Sequence, residues 1–301
     1  MNWLQILFDG LLLGTLYALI ALGYTMVYGV LRFINFAHGE VFMLAAYAGM
    51  LAGPFCVRIC GGPSLAAGAL MVAVSMACGA AAGMLIERVA YRPLRDRPRI
   101  TALITAIGVS LLLQNLAQVC FSATPRSFPQ TLPDAVWHWE ALGLSTTPAR
   151  VAVLCVTPVL LCGLTLLVMR TKLGLAMRAI AQNPTATALM GVSQSQVIAF
   201  TFGLGSAMAG AGGALYCFCY PNLTPAMGTM PGLKAFVAAV LGGIGSLPGA
   251  ALGAVLLGVI EGVVGASPLS EHKDVVAFTV LIVMLLVRPS GLLGRSQKEK
   301  V

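Results

Sequence analysis

Apolar blocks near residues 6–29, 37–57, 64–86, 100–120, 149–169, 195–219, 232–264 and 275–287 follow one another along this chain, with only turn-rich or charged breaks between them. Most match the roughly 20 residues that a helix needs to cross the hydrocarbon core. Within lipid every backbone N–H and C=O must be satisfied inside its own segment or a closed barrel. A barrel would need strands of about ten residues with alternating polarity, and that pattern is missing here. The expected fold is all-α, a polytopic transmembrane helical bundle of about 8–9 hydrophobic segments including one broken, Gly-rich segment. With 58% hydrophobic and 9% charged residues, the composition excludes a soluble globular domain, where charged side chains make up about a quarter of the chain. The opening MNWLQILFDG has no basic stretch before its apolar run, so the first span is expected to remain in place.

Eighteen Lys and Arg against ten Asp and Glu leave a net charge of +8. Their placement argues against nucleic acid, because no basic stripe alternates with exposed aromatics. Instead the cations gather at Arg88, Arg92, Arg95, Arg97 and Arg99, at Arg170, Lys172 and Arg178, and in a tail at 288–301 with Arg288, Arg295, Lys298 and Lys300. The positive-inside rule assigns all three groups to the cytoplasmic side. One topology then accommodates them, with the N-terminus and residues 121–149 outside, provided the last blocks make an odd number of crossings.

Residues 170–194, RTKLGLAMRAIAQNPTATALMGVSQ, form a long polar segment between two apolar blocks. Leu173 to Gln182 has good helix formers and carries Arg178. Asn183 can cap a second short helix with Pro184 at its first position, and Gly191 can end it. Two joined helices between spans make either a docking surface or an ordinary ordered connection.

The block 232–264 is too long for one span and is interrupted by GGIGSLPGA at 242–250. It is read as two spans joined by a hairpin turn or as a pair of half-helices. Broken helices at membrane depth need protein or a water-filled cavity around them and often flank transport sites. Gly245, Gly249, Gly253, Gly258 and Gly262, with Gly10/Gly14 and Gly79/Gly83, are expected to let helix backbones approach closely.

Carboxylates at membrane depth are functional candidates by default. Asp9 is read as a solvated end and Glu261 as a bundle or path residue, and no intramembrane Lys or Arg stands out as a partner for either. Arg32, Asn35, His38 and Glu40 cluster between two blocks, as a polar lining or a solvated turn. Thr101, Thr105, Ser110, Gln114 and Asn115 place polar groups along the fourth span. Asn35, His38, Glu40, Gln114, Asn115 and Glu261 are therefore the candidate path residues. Of the eight cysteines, Cys56, Cys60, Cys217 and Cys219 lie near outer ends, where a disulfide is conceivable. Their spacing, without nearby histidine, does not suit a metal. No phosphate-binding loop, HExxH or GxSxG catalytic signature is present, so neither a catalytic residue nor a cofactor is expected on this chain.

VLRFINFAHGEVFMLAAYAG (30–49), ERVAYRPLR (87–95), ITAIGVSLLLQN (104–115), LGLAMRAIAQNPTATALMGV (173–192) and VLGGIGSLPGAALGAVLLGVIEG (240–262) together closely resemble the LivH-type permeases of branched-chain amino acid ABC transporters, over essentially the whole chain. The resemblance implies a single permease domain, 1–301, in a bacterial inner membrane. It also implies a second, LivM-like permease, two cytoplasmic ATP-binding subunits that carry ATP and Mg, and a periplasmic substrate-binding protein. By the same likeness 170–194 is the segment that couples to the ATPase, with Arg178, Ala179, Asn183, Ala188 and Gly191 as its site residues. Relatives of this kind carry leucine, isoleucine and valine, or other amino acids, amides or urea. The competing expectation is a secondary transporter or channel working without an ATPase, which would use a buried ion-coupling charge pair.

Overall fold

The computed structural model describes residues 2–95, 97–133, 135–139 and 143–294. The tail cations Arg295, Lys298 and Lys300 lie outside the described residues. Eleven helices are present among those described: α1 Trp3–Leu31, α2 His38–Ile59, α3 Leu65–Ile86, α4 Arg99–Phe121, α5 Pro148–Arg170, α6 Lys172–Gln182, α7 Pro184–Leu189, α8 Gln194–Cys219, α9 Thr229–Gly242, α10 Leu247–Gly265 and α11 Lys273–Val287. Seven of these, α1 to α5, α8 and α10, are long and apolar enough to cross a membrane, and a wide turn at Glu87–Tyr91 lengthens α3.

Local chemistry sets the helix starts. Ser64, Thr147 and Ser246 each cap a first turn, accepting from the N–H of Ala67, Arg150 and Gly249, which satisfies donors that would otherwise be orphaned. Helices α1 and α8 are the most buried, whereas α4 and α5 expose most of their surface. Lipid supplies no hydrophobic force between helices, so close backbone packing holds such a bundle together. Gly10 and Gly14 of α1 lie directly against Gly258 and Val255 of α10, and Gly79 and Gly83 of α3 against Ser206 and Gly210 of α8. The glycine stripes thus serve the interior of the bundle. Gly245 is the exception: at φ +96 it belongs to the turn after α9, not to a helix face.

One end of the bundle carries two short antiparallel ribbons, Arg126–Ser127 with Asn222–Leu223 and Trp137–Trp139 with Leu144–Thr146. At the opposite end lie α6 and α7, the basic stretch around Arg92 and Arg95, and the turn after α9. There Arg32 donates to the Ala181 carbonyl and Arg95 to the Ser195 hydroxyl. Leu292 and Leu293 donate to the carbonyls of Leu241 and Gly242 at the same end.

Block 232–264 resolves into α9 and α10 joined by a hairpin turn at 243–246. Helix α9, at 14 residues, is about 21 Å long at 1.5 Å per residue, short of the ~30 Å core. Hydrogen-bonded turns over residues 224–228 lead into it from Leu223. Helix α2, continuous over 22 residues, also starts inside the bundle. After α1 ends, residues 32–37 turn back, and His38 starts α2 beside Gly23, about 12 Å from the end of α1 at the helical rise. Gly39 and Gly228 are in backbone contact, so α2 and α9 begin inside the bundle, against each other. All eight cysteines are free, so the disulfide conceived for Cys56, Cys60, Cys217 and Cys219 is absent.

Candidate functional site

Three places gather the candidate residues. The first is the α6–α7 segment. Thr171 caps α6, its hydroxyl accepting from Gly174 N–H at 3.1 Å, and Asn183 caps α7, accepting from Ala186 N–H at 3.0 Å. Pro184 occupies the first turn of α7, and Gly191 closes the segment with φ +81. Gly174, Met177 and Ile180 bury one face of α6 against the α1–α5–α8 core. The other face is free: Arg178, Asn183, Ala188 and Gly191 are exposed and Ala179 half-buried. Arg178 reaches back to the Met169 carbonyl at 3.3 Å. Leu189 and Met190, two apolar side chains at the tip, are each 84% exposed. A cleft of about 780 Å³ runs beside the segment, lined by Arg32, Arg92, Arg95 and Arg97 along with Ile180 and Pro184. Behind it Glu87 is fully buried, paired with Arg92 at 3.4 Å and with Arg95.

The second place is a cavity of about 160 Å³ where α2 and α9 begin. Tyr24, Phe36, Gly39, Glu40, Ile107, Ser110, Leu111, Gly228, Thr229, Gly232 and Leu233 line it. Glu40 is 2% exposed. Its Oε1 accepts from the Ser110 hydroxyl at 3.3 Å, while Oε2 has no hydrogen-bond partner. The other residues of the candidate path lie elsewhere. Asn35 is buried and accepts from the Tyr91 hydroxyl at 2.6 Å and from Ala37 N–H at 3.1 Å, which shapes the turn before α2. His38 is fully buried with its ring 4.7 Å from that of Tyr24. On α4, Asn115 returns its amide to the Leu111 carbonyl and Gln114 is half-buried. Of the polar groups on that span, Ser110 is the one that reaches Glu40.

The third place overturns an expectation. Glu261, 3% exposed, does have an intramembrane cationic partner: Lys234 of α9 lies 3.0 Å away, and the Tyr17 hydroxyl donates to the same carboxylate at 3.0 Å. Lys234 also pairs with Asp274 at 2.6 Å. Lys234 stands 27 residues from Glu261, across a helix break, so no local spacing links the two in the sequence. None of these residues lines the cavity. Asp9, expected at a solvated end, is partly exposed and pairs with Arg150 at 2.9 Å. Among the described residues no group of three or more His, Cys, Asp or Glu side chains is placed to hold a metal ion.

Comparison with known proteins places these features in context. Residues 6–285 match the family described as branched-chain amino acid transport system, permease component. The chain is 43% identical to the high-affinity branched-chain amino acid transport system permease protein LivH of Escherichia coli K12, over 99% of this chain and 98% of that one. It is equally 43% identical to the corresponding protein BraD of Pseudomonas aeruginosa, over 100% of this chain and 98% of BraD. The ribose import permease protein RbsC of Escherichia coli K12 is 24% identical over 74% of this chain and 68% of its own length. No solved structure matches the chain.

Proposed function

Because the chain belongs to the family of branched-chain amino acid transport system permease components, we propose that it is the membrane-spanning permease subunit of an ATP-driven importer, translocating branched-chain amino acids across a bacterial inner membrane into the cytoplasm. The observation that carries this reading is full-length similarity at 43% identity to two such permeases. The chain itself is a multi-pass membrane protein and a transport subunit, not an enzyme.

ATP and Mg would then be held by two cytoplasmic ATP-binding subunits. A second, LivM-like permease would complete the membrane unit, and a periplasmic binding protein would deliver the substrate. The end bearing α6, α7 and the Arg92–Arg95 stretch faces the cytoplasm in this reading, as the positive-inside rule requires. Leu189 and Met190 support docking there, because two apolar side chains projecting from a polar segment lose water only when something covers them. Movement of the docked segment would pass to α1 through Arg32 and the Ala181 carbonyl, and from α1 to the α2 start packed on Gly23. Such coupling works only if the nucleotide states favour different arrangements of the bundle.

The Lys234–Glu261 pair is of the kind that an ion-coupled carrier would use. Its packing with Tyr17 and Asp274 and its separation from the cavity favour a structural role. Co-purification of the tagged chain from its native membrane decides between the two. Recovery of an ATP-binding subunit and a second permease, both lost on Arg178→Glu, is the expected result. A chain that purifies alone and carries leucine in vesicles would refute the importer.

A further inference from the structure

The cavity between α2, α4 and α9 has a definite polarity. On one side stands Glu40, buried to 2% exposure with an oxygen that no protein group satisfies. A buried carboxylate in this condition is costly and is relieved by a proton or by a cationic partner. Facing it across Gly39 and Gly228 is the first turn of α9, which has no side-chain cap; Thr229 N–H is taken by the Ala226 carbonyl and Pro231 has none, so Met230 supplies the remaining N–H of that turn. A helix start of this kind favours negative charge, and Thr229 brings a hydroxyl to the same lining. Phe36, Ile107, Leu111 and Leu233 make up the apolar remainder. The volume of about 160 Å³ is several times the ~30 Å³ of a liquid water.

We propose that this cavity is a way-station for a free α-amino acid in a fixed orientation, its ammonium on Glu40, its carboxylate on the first turn of α9 and its aliphatic side chain against α4. This inference rests on the reading of the chain as an amino acid permease. It adds that the membrane subunit itself reads the zwitterion. The glycines at 39, 228 and 232 fit such a site: a Cβ at any of them would press on the opposing backbone and part the two helix starts. Since both helices begin here, a small relative shift of α2 and α9 would pull the carboxylate and the helix terminus apart. The solute would then be released without any covalent step.

The test uses the complete transporter in proteoliposomes with radiolabelled leucine. Glu40→Gln keeps the shape and removes the charge, and co-purification of the partner subunits verifies its assembly. Leucine uptake should fall about tenfold or more, as expected for loss of one charge-assisted hydrogen bond, and Glu40→Asp should restore part of it. Uptake at the wild-type rate in Glu40→Gln overturns the site. A second measurement needs no variant. Diazirine-bearing photo-leucine, irradiated during turnover of the wild-type complex, should label peptides containing residues 36–40 or 228–233. Excess leucine should compete with it, while 4-methylpentanoate, which lacks the ammonium, should not. Labelling confined to other segments, or equal competition by 4-methylpentanoate, overturns the site. Failure of the wild-type complex to carry any leucine would instead refute the permease reading itself.

Discussion

Lys234 on the short helix α9 lies 3.0 Å from Glu261 on α10, and both side chains are almost entirely withdrawn from solvent. The pair fastens the half-length helix to its neighbour, with Tyr17 of α1 donating to the same carboxylate. Removing Lys234 would leave the Glu261 carboxylate buried without its cation, at a cost of about 3–5 kcal/mol, whereas Lys234 would still have Asp274 if Glu261 were removed. Lys234→Met should therefore lower the thermal unfolding temperature of the detergent-solubilised chain markedly. Lys234→Met with Glu261→Leu should recover most of the loss. If the double variant is as unstable as the single, the pair has a role beyond mutual neutralisation.

Gly191 sits at φ +81 with nothing within 4 Å of an added Cβ. A side chain there is opposed by the backbone conformation, not by a clash, at a cost of roughly 1–2 kcal/mol. Gly191→Trp should reduce binding-protein-stimulated ATPase activity of the assembled transporter while leaving membrane insertion intact. Gly191→Asn, which tolerates the left-handed region, should retain most of it. Equal activity in all three proteins would remove Gly191 from the coupling path.

Leu189 and Met190 together make an apolar tip that touches little of the chain itself. Leu189→Asp with Met190→Asp should leave the solubility and unfolding temperature of the isolated chain nearly unchanged. The same variant should lose the ATP-binding subunit in pull-down. Retention of that subunit would locate the contact elsewhere.

Gly14 meets the α10 backbone so closely that an added Cβ would lie 2.7 Å from the Cα of Val255, whereas Gly108 of α4 has open space around it. Overpacking of this kind costs about 1–3 kcal/mol. Gly14→Val should cut the yield of folded protein on size-exclusion chromatography, and Gly108→Val should not. Similar yields would mean that α1 and α10 can separate without penalty.

Much of this molecule is written locally. The cap at Asn183, the proline after it and the closing glycine at 191 are local signals, because capping geometry depends on a handful of consecutive residues, and the α6–α7 segment forms as they require. The same holds for the long apolar helices, whose length and composition are dictated by the bilayer. The stripes Gly10/Gly14 and Gly79/Gly83 announce close packing, although the periodicity is silent on which helices they face.

What the residues could not reveal by spacing was decided by the meeting of distant elements. Lys234 carries no local signal that marks it as a partner, and only the folding of α10 against α9 brings Glu261 to it. Glu40, Ser110 and Thr229 come from three separate helices, and Asn35 and His38, neighbours of Glu40 in the chain, turn away from the cavity into packing. Sequence alone therefore determined that this is a helical membrane protein with a structured loop at one end, because those properties follow from hydrophobic length, charge placement and local capping, while the permease reading rested on the resemblance of its long motifs. Only the tertiary structure decided where the starts of α2 and α9 meet and which carboxylate is left facing a cavity, because long-range contacts set the partners of a buried charge.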